Sequence, residues 1–215
     1  TDPTITCIAD PIRNADGGQC YYTVVGAEFD PTAYNDDDPN NLPTITNDFN
    51  GGVSLAGEQI PDGTNIIWTV TDWCGLHTAV CNFTVTVNDT QDPTFTVCPS
   101  NVSQNIDAGN CSAVVNGIAP TTADNCGVTI QTWTITGATT ASSPATGIND
   151  ASGQTFNVGL STVTYTIEDA AGNSVSTCSF TVTISDDEDP SFTVCPTNVS
   201  QNIDAGNCSA VVNGI

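Results

Sequence analysis

The eighteen residues Asn101–Ile118 recur unchanged at Asn198–Ile215, and this duplication limits the possible folds more than any other feature of the chain. The wider blocks Asp92–Ile118 and Asp189–Ile215 differ at two of 27 positions, Thr94/Ser191 and Ser100/Thr197. Their offset of 97 residues also maps Cys81 onto Cys178 and carries "CNFTVTV" onto "CSFTVTI". A more diverged copy lies upstream, where Cys7 and Cys20 precede Cys98 and Cys111 by 91 residues. A period of that size is a whole small domain, longer than a solenoid repeat, so an array of domains is expected. The reading is repeat one over 1–91, repeat two over 92–188, and the opening third of repeat three over 189–215. That last piece is not expected to fold as a domain by itself.

Periodicity sets the fold class. "TNIIWTVTD" (Thr64–Asp72) and "STVTYTIED" (Ser161–Asp169) align at the same offset and alternate in the same phase. Ile66, Trp68 and Val70 face one way, as do Val163, Tyr165 and Ile167, with threonines filling much of the other face. Cys81, Phe83, Val85 and Val87 likewise share a face. A period of two, rich in Thr and Val, belongs to half-buried antiparallel strands. The intervening "WCGLH" and "AAGN" are turns, so each pair of runs forms a hairpin. The expectation is an all-β chain of tandem immunoglobulin-like β-sandwiches forming a rod and stapled by disulfides.

Composition removes several function classes. The chain has 24 acidic residues against a single Arg13 and no Lys, for a net charge of −23. Nucleic acid and anionic membranes are bound through basic side chains that release counterions, so neither is an expected partner. No apolar run is long enough to span a bilayer, so direct membrane insertion is not expected. Ten cysteines with repeated spacing and no CxxC pair point to structural disulfides in an oxidising, extracellular setting. Four cysteines allow three connectivities. The favoured scheme in repeat two joins Cys98 to Cys178, because first and last strands adjoin in such sandwiches, with Cys111–Cys126 as a local closure. Repeat one lacks a match for Cys126 but has Cys74, which gives Cys7–Cys81 and Cys20–Cys74.

The string "DPTFTVCPSNVSQNIDAGNCSAVV…DNCG…FNVGLSTVTYTIEDAAGNSVSTCSFTVTISD" resembles the hyalin repeat (HYR) domain. Repeat one resembles it more loosely, with "DWCGLHTAVC" in place of "DAAGNSVSTC" and an acidic "NDDDPNN" insertion. The resemblance implies an extracellular immunoglobulin-like module of adhesion and surface proteins with no known catalytic role. Long lysine-poor arrays of near-identical copies are similar to the SprB-type gliding adhesins of Bacteroidota, exported by type IX secretion. Expected partners are then neighbouring repeats, the secretion machinery, and a surface or polysaccharide ligand engaged by a distal region. An accessory or carbohydrate-binding module of a secreted polysaccharide-degrading enzyme is the alternative.

Catalysis has little to stand on. The one histidine, His77, lies in a turn and aligns with Ser174, and no GxSxG or HExxH pattern occurs. The acids are more informative. The tails "NDTQDP" and "SDDEDP" both keep Asp-x-x-Asp-Pro, at Asp89/Asp92 and Asp186/Asp189. Strand directions bring the Asp124 loop and the turn that starts at Asp169 to the same end of repeat two. Asp89, Asp92, Asp124 and Asp169 are therefore expected to converge at the junction and bind Ca²⁺, which prefers hard oxygen ligands. The corresponding site ahead of repeat one would use Asp2 and Asp72, and the following one Asp186 and Asp189.

Overall fold

A computed structural model describes residues 2–36 and 41–213, so the Asp37–Asn40 part of the acidic insertion lies outside the described residues. Among the described residues every regular element is a strand. The first eight are β1 (Thr4–Thr6), β2 (Ile12–Asn14), β3 (Tyr21–Thr23), β4 (Ala33–Asn35), β5 (Thr44–Asn47), β6 (Gln59–Pro61), β7 (Thr64–Thr71) and β8 (Thr78–Asn88). The next nine are β9 (Thr94–Val97), β10 (Val102–Asn105), β11 (Ser112–Val115), β12 (Thr121–Ala123), β13 (Val128–Gly137), β14 (Ala141–Ser142), β15 (Gln154–Asn157), β16 (Gly159–Asp169) and β17 (Ser174–Ser185). Described residues after Ser185 form no strand.

The first group builds a sheet ordered β2-β8-β7-β5, opposed by the pairs β1-β4 and β3-β6. The second builds β10-β17-β16-β13-β14, opposed by β9-β12 and β11-β15. Each is a β-sandwich with its own core. Phe29, Leu55, Ile66, Trp68 and Phe83 fill the first, and Val115, Phe156, Tyr165, Phe180 and Val182 fill the second. Alternation along the hairpins produces these cores: Ile66, Trp68 and Val70, and Val163, Tyr165 and Ile167, are all fully buried. Thr64 opposite Val85 begins the β7–β8 register, which places Trp68 opposite Cys81; the β16–β17 register places Tyr165 opposite Cys178. Gly75 and Gly172 turn these hairpins at positive φ (74° and 91°), where a side chain would be strained.

Cys7 is bonded to Cys81 and Cys98 to Cys178. The strand beside β17, however, is β10, which runs parallel to it, whereas β9 pairs with β12 in the opposing sheet. The chain thus changes sheet around Cys98–Pro99, and the disulfide fixes that crossing point. Two expected pairs do not form: Cys20–Cys74 and Cys111–Cys126 are replaced by a single bond, Cys20–Cys126. The reason is placement along each sandwich. Cys126 lies at the entry end of the second sandwich, beside Asn125, which touches Gln19 and Asp89. Cys111 closes the turn at the opposite end, where Gly109 contacts Glu188. In the first sandwich Cys74 is at the entry end, near Asp72, and Cys20 at the exit.

Tyr165 anchors the second core through its polar tip. Its hydroxyl donates to the Ile118 carbonyl and accepts from the Ala151 amide, both at 2.9 Å. Burial pushes the phenol pKa upward, so the group is a neutral donor throughout the physiological range. Tyr165→Phe removes the acceptor of a buried amide and should cost roughly 1–3 kcal/mol in urea unfolding. An unchanged midpoint would show that neither bond contributes.

Candidate metal centre at the junction

The segment joining the sandwiches is short: β8 ends at Asn88 and β9 begins at Thr94. Asp89 opens it, with Oδ1 accepting from the Gln91 amide at 3.0 Å in a tight Asx turn. Asp124 stands at the end of β12, its Oδ2 accepting from the Cys126 amide at 2.8 Å. Asp169 ends β16, and its Oδ1 and Oδ2 accept from the Asn173 amide and side chain at 2.9 and 2.8 Å. Three turns, each built around its own carboxylate, thereby point one acid apiece to the same place. Oxygens of Asp89, Asp124 and Asp169 all lie within 4.8 Å of one another.

The surroundings favour a cation. Asp169 is buried, and Asp89 and Asp124 are half-buried. Asp89 Oδ2 and Asp124 Oδ1 are individually inaccessible and have no hydrogen-bond partner. At an effective dielectric near 20, each pair of carboxylates at this spacing repels by about 3–4 kcal/mol. Buried acceptors that neither water nor a donor satisfies are costly, and a hard divalent ion relieves both penalties at once.

Not every expected ligand joins the group. Asp92 is exposed and instead lines an open cleft with Gln91, Thr94 and Asp124. The alternating backbone of the linker explains this: Asp89 and its Asx turn aim inward, and Pro93, not Asp92, is the buried residue. Asp186 repeats the Asp89 turn by accepting from the Glu188 amide at 3.1 Å, but neither it nor Asp189 belongs to a three-acid group among the described residues. At the entry of the first sandwich, Asp2 and Asp72 flank His77, whose Nε2 lies 3.9 Å from Asp2 and Nδ1 3.1 Å from Asp72. An imidazole thus sits between the two acids, so the turn histidine has a structural position that its isolation in the sequence concealed.

The junction also uses residues that the sequence reading passed over. Asn125 donates to the Gln19 carbonyl at 2.8 Å and to Asp89 at 3.1 Å, and Asn173 reaches the Asp89 carbonyl at 3.3 Å. Gln91 accepts from the Gly18 amide at 3.0 Å. With the Cys20–Cys126 bond, these contacts tie the turn at residues 16–20, the linker and the Asp124 loop into one body. A cysteine present in repeat two and missing from repeat one was the available signal, and the partner of Cys126 lies in the preceding unit.

Asp72 has the clearest electrostatic signature. The Cys74 thiol, His77 and the Leu76 amide bond its carboxylate and, against the opposing effect of burial, hold its pKa down to about 2. A carboxylate depressed in the folded state stabilises fully above its unfolded pKa of about 4, and the contribution fades as pH falls toward the folded value. Melting temperature should therefore drop more steeply between pH 4 and pH 2 in the native chain than in Asp72→Asn; equal slopes would refute the role.

The chain has counterparts among known proteins. Over 96% of its length the chain is 33% identical to hyalin of Strongylocentrotus purpuratus, although it spans only 16% of that protein. Weak structural similarity extends to the extracellular cadherin domains 1–5 of protocadherin gamma B2 (TM-score 0.40, 13% identity, 87% of this chain and 41% of that one). It extends also to human protocadherin-24 EC1-2 (TM-score 0.34, 13% identity, 85% of this chain and 99% of that one). Residues 88–184, the second sandwich with the end of the strand that leads into it, match the HYR domain.

Proposed function

We propose that this chain is a structural and adhesive segment of a long extracellular surface protein, in which successive β-sandwiches are joined end to end through Ca²⁺ and a disulfide. One observation carries the reading: the acids Asp89, Asp124 and Asp169 converge where the two sandwiches meet, next to the Cys20–Cys126 bond. Asp89 belongs to the linker, and Asp124 and Asp169 to the second sandwich. A cation held by all three would fix the direction in which the second sandwich leaves the first. Ca²⁺ suits the all-oxygen donor set and accepts about 6–8 ligands in irregular geometry, so carbonyls and water can complete its shell.

The HYR match over residues 88–184 and the likeness to hyalin support an adhesion-type role outside the cell. The disulfides support an oxidising compartment. Near-identical copies and the absence of lysine favour an attachment or gliding adhesin exported by dedicated machinery, with these sandwiches as spacers and ligand binding elsewhere in the protein. No residue in the chain is assigned a catalytic role in this reading.

Calcium titration tests the centre. At 100-fold excess over Kd, one site stabilises by about 2.7 kcal/mol, which for a chain of this size raises the melting temperature by roughly 5–10 °C. Asp124→Asn separates the two effects: it relieves repulsion, so it should melt higher than the native chain in EDTA, yet lose the calcium-dependent rise. An identical calcium response in the native and variant chains would eliminate the site.

A further inference from the structure

We propose that Cys111 is the donor half of a second covalent junction, a disulfide to the cysteine of an Asp-Asn-Cys loop in the unit that residues 189–215 open. The argument rests on equivalence within the chain. Cys20 is the repeat-one counterpart of Cys111, and Cys20 is bonded to Cys126 of the next unit, in the loop Asp124-Asn125-Cys126. Cys111 is an exposed, unbonded thiol.

The surroundings of the two cysteines share their main hydrogen bonds. Asp16 N donates to Tyr21 O at 2.8 Å, and Asp107 N to Ser112 O at 2.9 Å. Gln19 N and Asn110 N each donate to the carbonyl three residues back at 2.9 Å. Asp16 Oδ2 accepts from Thr23 N at 3.0 Å, and Asp107 Oδ2 from Val114 N at 2.9 Å. The same turn docks onto the exit linker in both places: Gly18 N donates to Gln91 Oε1 at 3.0 Å, and Gly109 N to Glu188 Oε1 at 2.9 Å. The linkers agree as well, since Asp89 and Asp186 each cap the amide two residues on. The exit end of the second sandwich is thus the first junction with its receiving loop removed. Its own Cys126 cannot serve, because that thiol is already bonded at the other end.

The matching block Asp189–Ile215 begins a unit of the repeat-two type, and in that type the receiving cysteine follows Cys111 by 15 residues. Bond formation releases one proton from each thiol and two electrons in total. A small-molecule disulfide such as oxidised glutathione takes up both electrons and both protons to become two thiols. The proposal does not depend on the cation: it concerns sulfur placement alone, and a cation-free junction would still be linked.

The test extends the chain past Ile215 with a second copy of residues 119–188. The copy carries Thr140→Ser as a mass tag, and Cys208→Ser leaves Cys111 as the only cysteine in its peptide type. After oxidation with a glutathione couple and blocking with iodoacetamide, the chain is cut before aspartates, since it contains no lysine and one arginine. The expected product is the Asp107–Ala123 peptide joined to the tagged loop peptide. A bridged Cys195, which reports that the added unit has folded, together with an alkylated Cys111 would overturn the proposal. A second measurement is independent of refolding: in protein taken from its source with thiols blocked at harvest, the same peptide should be disulfide-linked. Finding it alkylated there would equally overturn the proposal.

Discussion

Three carboxylates at a five-residue linker create the constraint on which the relation between the two sandwiches depends. Asp89, Asp124 and Asp169 come from three turns that each satisfy their own amides, and Asp89 Oδ2 and Asp124 Oδ1 are left without a donor beside the Asp169 carboxylate. Their repulsion alone would push the linker away from the Asp124 loop. The Cys20–Cys126 bond prevents this, and Asn125 and Asn173 add donors aimed at Asp89. The acids are consequently held close by covalent force, whether or not a counter-ion is bound. A divalent ion entering such an arrangement would need little reorganisation of its ligands, because the cost of bringing them together is met during folding.

The charge balance of the whole chain points in the same direction. With a net charge of −23, acid clusters have almost no internal cation to answer them. The one arginine is already committed: Arg13 is bound to Glu28 at 2.7 Å and lies over the rings of Tyr22 and Phe29. At the entry to the first sandwich an imidazole stands between Asp2 and Asp72. In the second, the position of His77 is taken by Ser174, and among the described residues no ion pair reaches the three acids. A divalent ion from solution would supply the missing charge with a small loss of ion entropy.

Sequence patterning made much of this legible, for physical reasons. Strand alternation is local, so the inward faces of β7, β8, β16 and β17 could be read directly, and the hairpins followed from the turns between them. The strand-direction argument brought Asp124 and Asp169 toward Asp89, where their oxygens group. Two kinds of information were not local. Whether Asp92 or Asp89 points inward depends on the linker's path, which a Pro-containing segment does not announce. Cysteine pairing depends on which end of a sandwich each turn occupies. Cys111 and Cys126 are near in sequence yet lie at opposite ends because β11 and β12 carry the chain along the long dimension of the fold between them.

The turn that presents the donor cysteine is encoded more locally than anything around it. It forms at Asp16–Cys20 and Asp107–Cys111 within complete sandwiches. It forms again at Asp204–Cys208, where Asp204 N reaches Ser209 O at 3.0 Å and Asn207 N reaches Asp204 O at 2.9 Å although no strand surrounds it. The aspartate side chain bonding an amide seven residues on, with glycine at positive φ, suffices to define it. A sulfur held in a fixed position before its sandwich is complete has a smaller conformational search to its partner than one on a free loop. The turn is thus specified by its own residues, whereas the receiving loop is shaped by the Asp124 carboxylate on the Cys126 amide and by Asn125 reaching Gln19 of the preceding sandwich.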